Sequence, residues 1–133
     1  MLSRSNLFCG SNFRKLPNNV ANVPILVENI VVGEGIDGLL GYLCRLFIAP
    51  GDTVVSSLGA YPTFNFHVAG YGGVLETVPY INDCEDPISL LTRAKETNAK
   101  LCYLSNPDNP MGTWLDADDL ELALRQIPEG CLF

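Results

Sequence analysis

The segment "SNPDNPMGT", residues 105–113, follows an apolar run and combines two asparagines, two prolines and a glycine. Each proline restricts the residue before it to an extended conformation, so Asn106 and Asn109 are expected to be held rigidly. Their amides could then point into a crevice, where an amide can donate to a phenolate oxygen or bind a carboxylate. When the segment is taken alone, an ordinary turn explains its composition equally well.

A second segment, "VVGEGIDG" at residues 31–38, places glycines between a predicted strand and a predicted helix. The first N–H groups of a helix have no partner within it, and the helix dipole adds partial positive charge, so such an end binds phosphate readily. Asp37 lies in the first turn and could cap the helix or donate through its own N–H. The segment matches neither the GxGxxG fingerprint nor a P-loop, so a plain strand-to-helix turn stays open as the alternative.

A third segment, "GAYPTF" at residues 59–64, follows the next predicted strand and opens a helix. It presents Tyr61 and Phe64 at the same end of the predicted sheet, where a flat ring could stack on a planar ligand. Ordinary packing of the aromatic rings in the core is the alternative.

The composition limits what these segments can do. The chain has 133 residues, of which 47% are apolar and 17% charged, as in a globular protein of one domain or part of a larger one. A net charge of −7 supplies no broad basic field for nucleic acid. No apolar run is long enough for a membrane span and no signal peptide is recognised, so we expect no membrane association and a cytoplasmic location.

The cysteine and histidine content predicts no metal site. The five cysteines form no CxxC pair, and a single histidine, His67, cannot build a cluster of ligands. We expect the cysteines to be reduced, and Cys44 and Cys102 to be buried, because both fall within apolar patterns.

Short apolar runs alternate with helical patterns from residue 28 onwards. Such alternation predicts an α/β fold, with three layers in which helices cover a mainly parallel sheet. Ligands of such sheets bind beyond the carboxyl ends of the strands, where the three segments lie. Residues 1–27 carry no clear period and form an N-terminal segment of uncertain structure. The predicted strands cover residues 28–32, 53–58, 74–80 and 100–105, and a fifth strand begins at residue 131. The predicted helices begin near residues 36, 62, 87 and 117. Asp86 and Asp116 are the predicted caps of the last two helices.

Taken together in chain order, the segments resemble the fold-type-I pyridoxal-phosphate-dependent aminotransferases of class I/II, and most closely the histidinol-phosphate aminotransferase-like branch. That branch has "VVGxGxDE", "PTY/F", a "VP" strand end and "NPxNPTG". This chain has "VVGEGIDG", "YPTF", "TVPY" and "NPDNPMG" at matching spacings. The resemblance covers residues 28–133 and implies that they form part of the large domain that binds pyridoxal 5'-phosphate. It also implies amino-group transfer between an amino acid or amino-phosphate and a 2-oxo acid, in a homodimer.

The resemblance assigns roles to five residues. Gly35, Ile36 and Asp37 would hold the cofactor phosphate through backbone N–H groups. Phe64 would stack on the pyridine ring. Asn109 would donate to the O3′ oxygen of the ring and keep it as a phenolate.

The chain also departs from the family pattern. Gly112 keeps the glycine that would allow the tight bend of the loop. Met111 and Gly38, in contrast, stand where the family often has Thr and Glu. These two differences bear on substrate preference more than on cofactor binding. The resemblance places the Asp that pairs with the ring nitrogen, the Ser-x-x-Lys segment whose Lys forms the Schiff base, and the substrate-binding arginines beyond residue 133. No lysine of the chain matches that segment. We therefore expect no catalytic residue here, and no transamination by these 133 residues alone.

Two alternatives to an aminotransferase portion stay open. One is a non-catalytic fragment that binds the cofactor or pairs with a full-length subunit. The other is an unrelated α/β nucleotide binder that uses "GEGIDG" for phosphate, although this leaves "NPDNPMG" unexplained.

Overall fold

The computed structural model describes residues 6–7 and 30–133 of the chain. The chain divides into two compact units, one reaching Tyr42 and the other comprising Leu43–Phe133. None of the described helices is long and apolar enough to cross a membrane. In chain order, the elements are β1 (Asn6–Leu7), β2 (Ile30–Val31), α1 (Ile36–Phe47), β3 (Thr53–Ser57), α2 (Thr63–Gly70), β4 (Val74–Val78), α3 (Pro87–Glu96), β5 (Leu101–Cys102) and α4 (Ala117–Leu124).

The first unit contains a short pair of parallel strands. In this pair, Asn6 of β1 lies opposite Ile30 of β2, and Leu7 lies opposite Val31. Strand β2 falls inside the strand predicted at residues 28–32. Strand β1 is not predicted by the sequence, because two residues are too few to carry a period. Helix α1 begins at Ile36, where the apolar spacing predicts it.

A parallel three-stranded sheet forms the centre of the second unit. Its strand order is β4–β3–β5, and both pairs are parallel. The register aligns Val54 of β3 with Leu75 of β4 and with Leu101 of β5. Leu132 forms a parallel bridge with Leu101, so the last residues lie beside β5, as expected for the strand predicted to begin at residue 131. The predicted strand at 100–105 is present as β5 but is shorter than predicted.

Both faces of this sheet are buried along β3 and β5. Successive side chains of a strand point to opposite faces, so Val55 and Cys102 lie on one face and Val54 and Leu101 on the other. The face with Val55 packs in one apolar cluster with residues of α3 and α4, including Leu90. On the opposite face, Val54 is fully buried and Leu101 nearly so. The predicted α/β class with a mainly parallel sheet is therefore confirmed.

Two predicted helix caps are also confirmed. Asp86 Oδ2 accepts a hydrogen bond from Ser89 N at 2.9 Å, at the start of α3. Asp116 Oδ1 accepts one from Asp119 N at 3.0 Å, at the start of α4. Pro87 occupies the first position of α3, where its missing N–H would have no helical partner anyway.

The described cysteines are free thiols. Cys44 and Cys102 are buried, as the apolar patterns predict. Burial raises the pKa of Cys44 to about 11 and also raises the pKa of Cys102, so both stay protonated at neutral pH. Among the described residues, no group of three His, Cys, Asp or Glu side chains is placed to hold a metal ion.

Candidate functional site

Residues 105–115, the Asn-Pro loop, leave the carboxyl end of β5 and return before α4. Asn106 clamps the two arms of this loop together, because its Nδ2 donates to Leu115 O at 3.3 Å and its Oδ1 accepts from Leu115 N at 2.9 Å. The bend lies at Gly112, whose φ of 73° favours glycine, as predicted for this position. The amide of Asn106 therefore closes the loop and is not offered to a ligand, contrary to the expectation from its sequence position.

Asn109 has the opposite environment. Its side chain is exposed, and its carboxamide makes no hydrogen bond to any residue in the described part of the chain. Its backbone is fixed, because Asn109 O accepts a hydrogen bond from Tyr61 N at 2.9 Å. The peptide bond between Asn109 and Pro110 is cis, as is the one between Asn106 and Pro107. The loop thus holds one carboxamide in place with both of its donors open to a ligand.

A network of buried and partly buried polar groups is hydrogen-bonded to the Asn-Pro loop. The Tyr80 hydroxyl donates to both carboxylate oxygens of Asp108, at 3.0 and 2.9 Å. Glu85 accepts a hydrogen bond from Ser57 Oγ at 2.7 Å and another from Ser105 N at 3.2 Å. This network of hydrogen bonds joins the ends of β3, β4 and β5 to the loop.

The sequence reasoning did not find this network. Glu85 and Asp108 are only 4% and 6% exposed, and burial is the largest cause that raises the pKa of Glu85 above its usual range. Burial and the hydrogen bond to Asp108 likewise raise the pKa of Tyr80. The one available signal was the acidic residue Asp108 between the two Asn-Pro pairs of the loop motif.

The sequence predicts that Phe64 presents its ring to a ligand, but the ring is buried. Its ring is 2% exposed and stacks on the ring of Tyr103, with centroids 4.7 Å apart and planes 24° apart. Tyr61, in contrast, is 50% exposed and lies next to the Asn-Pro loop through its bond to Asn109. One face of Phe64 is thus already occupied, and its role as a stacking partner for a ligand stays a prediction.

The glycine segment before α1 has the features of a backbone anion site. Gly35 has a φ of 93°, and a Cβ added there would meet no atom within 4 Å. The first backbone hydrogen bond of α1 is donated by Leu39 N to Gly35 O, at 3.3 Å. The N–H groups of Ile36 and Asp37 therefore lie ahead of the hydrogen bonds between successive helical turns. At Gly33, an added Cβ would lie 2.8 Å from Leu39 Cδ2, so a side chain there would make the Leu39 side chain shift. These residues belong to the first compact unit, whereas Phe64 and Asn109 belong to the second.

Comparison with known proteins connects this geometry to one family. The family model described as "Aminotransferase class I and II" matches residues 12–132. Histidinol-phosphate aminotransferase 2 of Carboxydothermus hydrogenoformans is 32% identical over 122 residues, which are 90% of this chain and 33% of the relative. Histidinol-phosphate aminotransferase of Methanosphaerula palustris is 38% identical over 109 residues, which are 80% of this chain and 30% of the relative.

A solved structure gives the same result at the level of the fold. Histidinol-phosphate aminotransferase from Sinorhizobium meliloti, in complex with pyridoxal-5'-phosphate, superposes with a TM-score of 0.73 and 55% sequence identity. The match covers 75% of this chain and 27% of that chain. This chain therefore spans about a third or less of the length of these three proteins. The resemblance inferred from the three segments and the partial large-domain fold are confirmed, and the chain belongs to the aminotransferase family of classes I and II.

Proposed function

We propose that the protein containing this chain is a pyridoxal-phosphate-dependent aminotransferase, and that residues 28–133 form part of its cofactor-binding domain. The proposed reaction moves an amino group between an amino acid or amino-phosphate and a 2-oxo acid. The observation that carries the proposal is the Asn-Pro loop. Its other amide, on Asn106, is used to close the loop, whereas the carboxamide of Asn109 is exposed at the carboxyl end of the sheet.

The described residues fit the cofactor in two respects. An exposed carboxamide with free donors suits the phenolate oxygen of the pyridine ring, so Asn109 would hold O3′. The open backbone around Gly35 suits a phosphate, which would be held by the N–H groups of Gly35, Ile36 and Asp37. The proposed stacking by Phe64 requires a ligand to reach a ring that Tyr103 now covers on one face.

Pyridoxal phosphate, when bound, supplies an electron sink for bonds at the α-carbon of an amino substrate. The residues of this chain would bind and orient that group. Asn109 would fix the ring through one hydrogen bond, and its neutral amide would favour the ionised form of O3′, because an amide N–H stabilises an oxyanion. The helix start would fix the opposite end of the cofactor by its phosphate.

The central test exchanges a donor for an acceptor at one position. Asn109→Asp keeps the size of the side chain, removes its two N–H donors and adds a negative charge. A lost hydrogen bond to a charged group costs about 1.5–3 kcal/mol, which corresponds to roughly a ten- to hundredfold weaker affinity for pyridoxal phosphate. Cofactor affinity can be measured by equilibrium dialysis and by the visible absorbance of the bound cofactor.

The matched control makes the same chemical change elsewhere. Gln126→Glu converts an exposed amide just after α4 into a carboxylate and should leave the affinity unchanged. Equal affinities of the wild type and Asn109→Asp would contradict the assigned role of Asn109. A wild-type protein that does not bind the cofactor would contradict the proposed function itself.

The substrate, assembly and location are also proposals. Histidinol phosphate is the first amino donor to assay, because relatives at 32% and 38% identity carry the name histidinol-phosphate aminotransferase. Turnover with this donor and a 2-oxo acid would support a role in amino-acid biosynthesis, whereas cofactor binding without turnover would favour the non-catalytic alternative. We further propose a cytoplasmic homodimer, which sedimentation of the purified protein and cell fractionation would test.

A further inference from the structure

Two acidic side chains are buried next to each other under the Asn-Pro loop. Glu85 is 4% exposed and Asp108 is 6% exposed. Ser57 Oγ and Ser105 N donate to the two oxygens of Glu85. The carboxyl of Asp108 accepts hydrogen bonds from the hydroxyl of Tyr80, and Asp108 lines the same narrow cleft as Glu85. Two buried carboxyl groups in one cleft repel each other when both are ionised, so a proton is favoured on one of them.

The surroundings of the pair favour retention of that proton. Burial, the largest cause, raises the pKa of Glu85, and the neighbouring charge of Asp108 raises it further. The hydrogen bonds from Ser57 and Ser105 act in the opposite direction. No cation is among the groups that face Glu85 in the described residues. The titratable groups that face it are those of Tyr80, Cys102, Tyr103 and Asp108.

The pair is connected directly to the position of Asn109. The backbone of Asp108 holds both arms of the loop, because Asp108 N donates to Thr113 O at 2.7 Å and Asp108 O accepts from Gly112 N at 2.9 Å. Asn109 is the next residue, and its side chain has no partner of its own in the described part of the chain. Its place is therefore determined by the backbone that Asp108 anchors and by the bond from Tyr61 N.

We infer that Glu85 keeps a proton beside Asp108 and that the two act as positioning residues, which hold the Asn-Pro loop in the geometry that presents the Asn109 carboxamide. With the proton present, Glu85 is neutral and the pair carries no more than one negative charge. When the proton leaves to solvent, two buried carboxylates face each other without a cation, and their repulsion displaces the loop. The significance for the cofactor rests on the proposed function, whereas the pair itself does not.

The direction of the pH dependence follows from the raised pKa of Glu85. The folded protein binds this proton more tightly than the unfolded chain, whose carboxyl has the ordinary value of 4.5. The stabilisation is therefore fully present below pH 4.5 and is lost as the pH rises through the higher pKa of the folded state. Loop order should decline over the same range.

Trp114 supplies a readout that needs no cofactor. It is the one tryptophan of the 133 residues, it is 74% exposed, and it lines the same narrow cleft as Glu85 and Asp108. Its emission is recorded against pH in the cofactor-free protein, with Trp114→Phe as the background. The wild type should show a transition with a midpoint above pH 4.5, and its free energy of unfolding should fall across that transition.

Glu85→Gln imitates the protonated state, so its emission should not change over the range of the wild-type transition. Glu129→Gln, the same change on an exposed residue, should keep the wild-type transition. Asp108→Asn is the second variant, because it removes the neighbouring charge and should move the midpoint to lower pH. A wild-type emission without a transition, a transition that survives in Glu85→Gln, or an unchanged midpoint in Asp108→Asn would each overturn the inference.

Cofactor binding separates this inference from the proposed function. The affinity of the wild type for pyridoxal phosphate should weaken with rising pH relative to Glu85→Gln, since the comparison cancels the ionisation of the cofactor itself. Failure of the wild type to bind pyridoxal phosphate at any pH would overturn the proposed function and leave the cofactor-free titration to decide the inference. Equal pH profiles of affinity in the wild type and Glu85→Gln would overturn the inference alone.

Discussion

Removing the Tyr80 hydroxyl tests how much the network under the Asn-Pro loop contributes to stability. Tyr80→Phe removes only the hydroxyl group, which donates to both oxygens of Asp108 at 3.0 and 2.9 Å. All carbon atoms of the side chain stay in place. A hydrogen bond to a charged group contributes about 1.5–3 kcal/mol. Tyr80 is partly exposed, so water can replace part of the lost bond, and we expect a loss near 1.5 kcal/mol at neutral pH.

The assay is urea unfolding followed by far-ultraviolet circular dichroism, with the free energy extrapolated to water. Tyr71→Phe is the matched control, because it removes the same atom from an exposed tyrosine and should change stability by less than about 0.5 kcal/mol. A loss in Tyr80→Phe no larger than in Tyr71→Phe would refute the reasoning that buried Asp108 depends on this donor. A loss well above about 3 kcal/mol would equally contradict it, since it would require disruption beyond one hydrogen bond.

Two further predictions concern the backbone. Asp86→Ala removes the cap on Ser89 N and should lower the free energy of unfolding by about 1 kcal/mol, with Asp86→Asn as the variant that retains most of it. Gly112→Ala places a side chain at a φ of 73° in open space, so strain alone should cost about 1–2 kcal/mol and weaken cofactor binding. Gly70→Ala, at the end of α2 with no neighbour within 4 Å, should cost nothing in the same unfolding assay, and a loss equal to that of Gly112→Ala would contradict the strain argument.

Features that depend on neighbouring residues were predictable from the sequence. The start of α1 at Ile36 follows from apolar spacing, and the caps Asp86 and Asp116 follow from residue type and position. The bend at Gly112 follows from the same local chemistry. Each of these signals lies within a few residues of the feature that it predicts.

Features that depend on distant contacts were not predictable. Tyr80 and Asp108 are 28 residues apart, as are Ser57 and Glu85, and no periodic pattern links residues so far apart. The same limit explains Asn106 and Phe64. Proline chemistry predicts a rigid Asn106 but not that its amide binds the returning arm of the loop, and the segment before α2 predicts an aromatic ring but not which neighbour covers it.

The residues of the Asn-Pro loop differ in how firmly their side chains are held, and this difference bears on how the family can change during evolution. Asn106 and Asp108 carry the fixed bonds, whereas Met111 is 50% exposed. Selection can therefore vary position 111 at little cost in stability, within about 0.5 kcal/mol, because no fixed bond of the loop runs through that side chain. A library randomised there would start from a loop that keeps its fixed hydrogen bonds, so position 111 is a natural starting point for directed evolution.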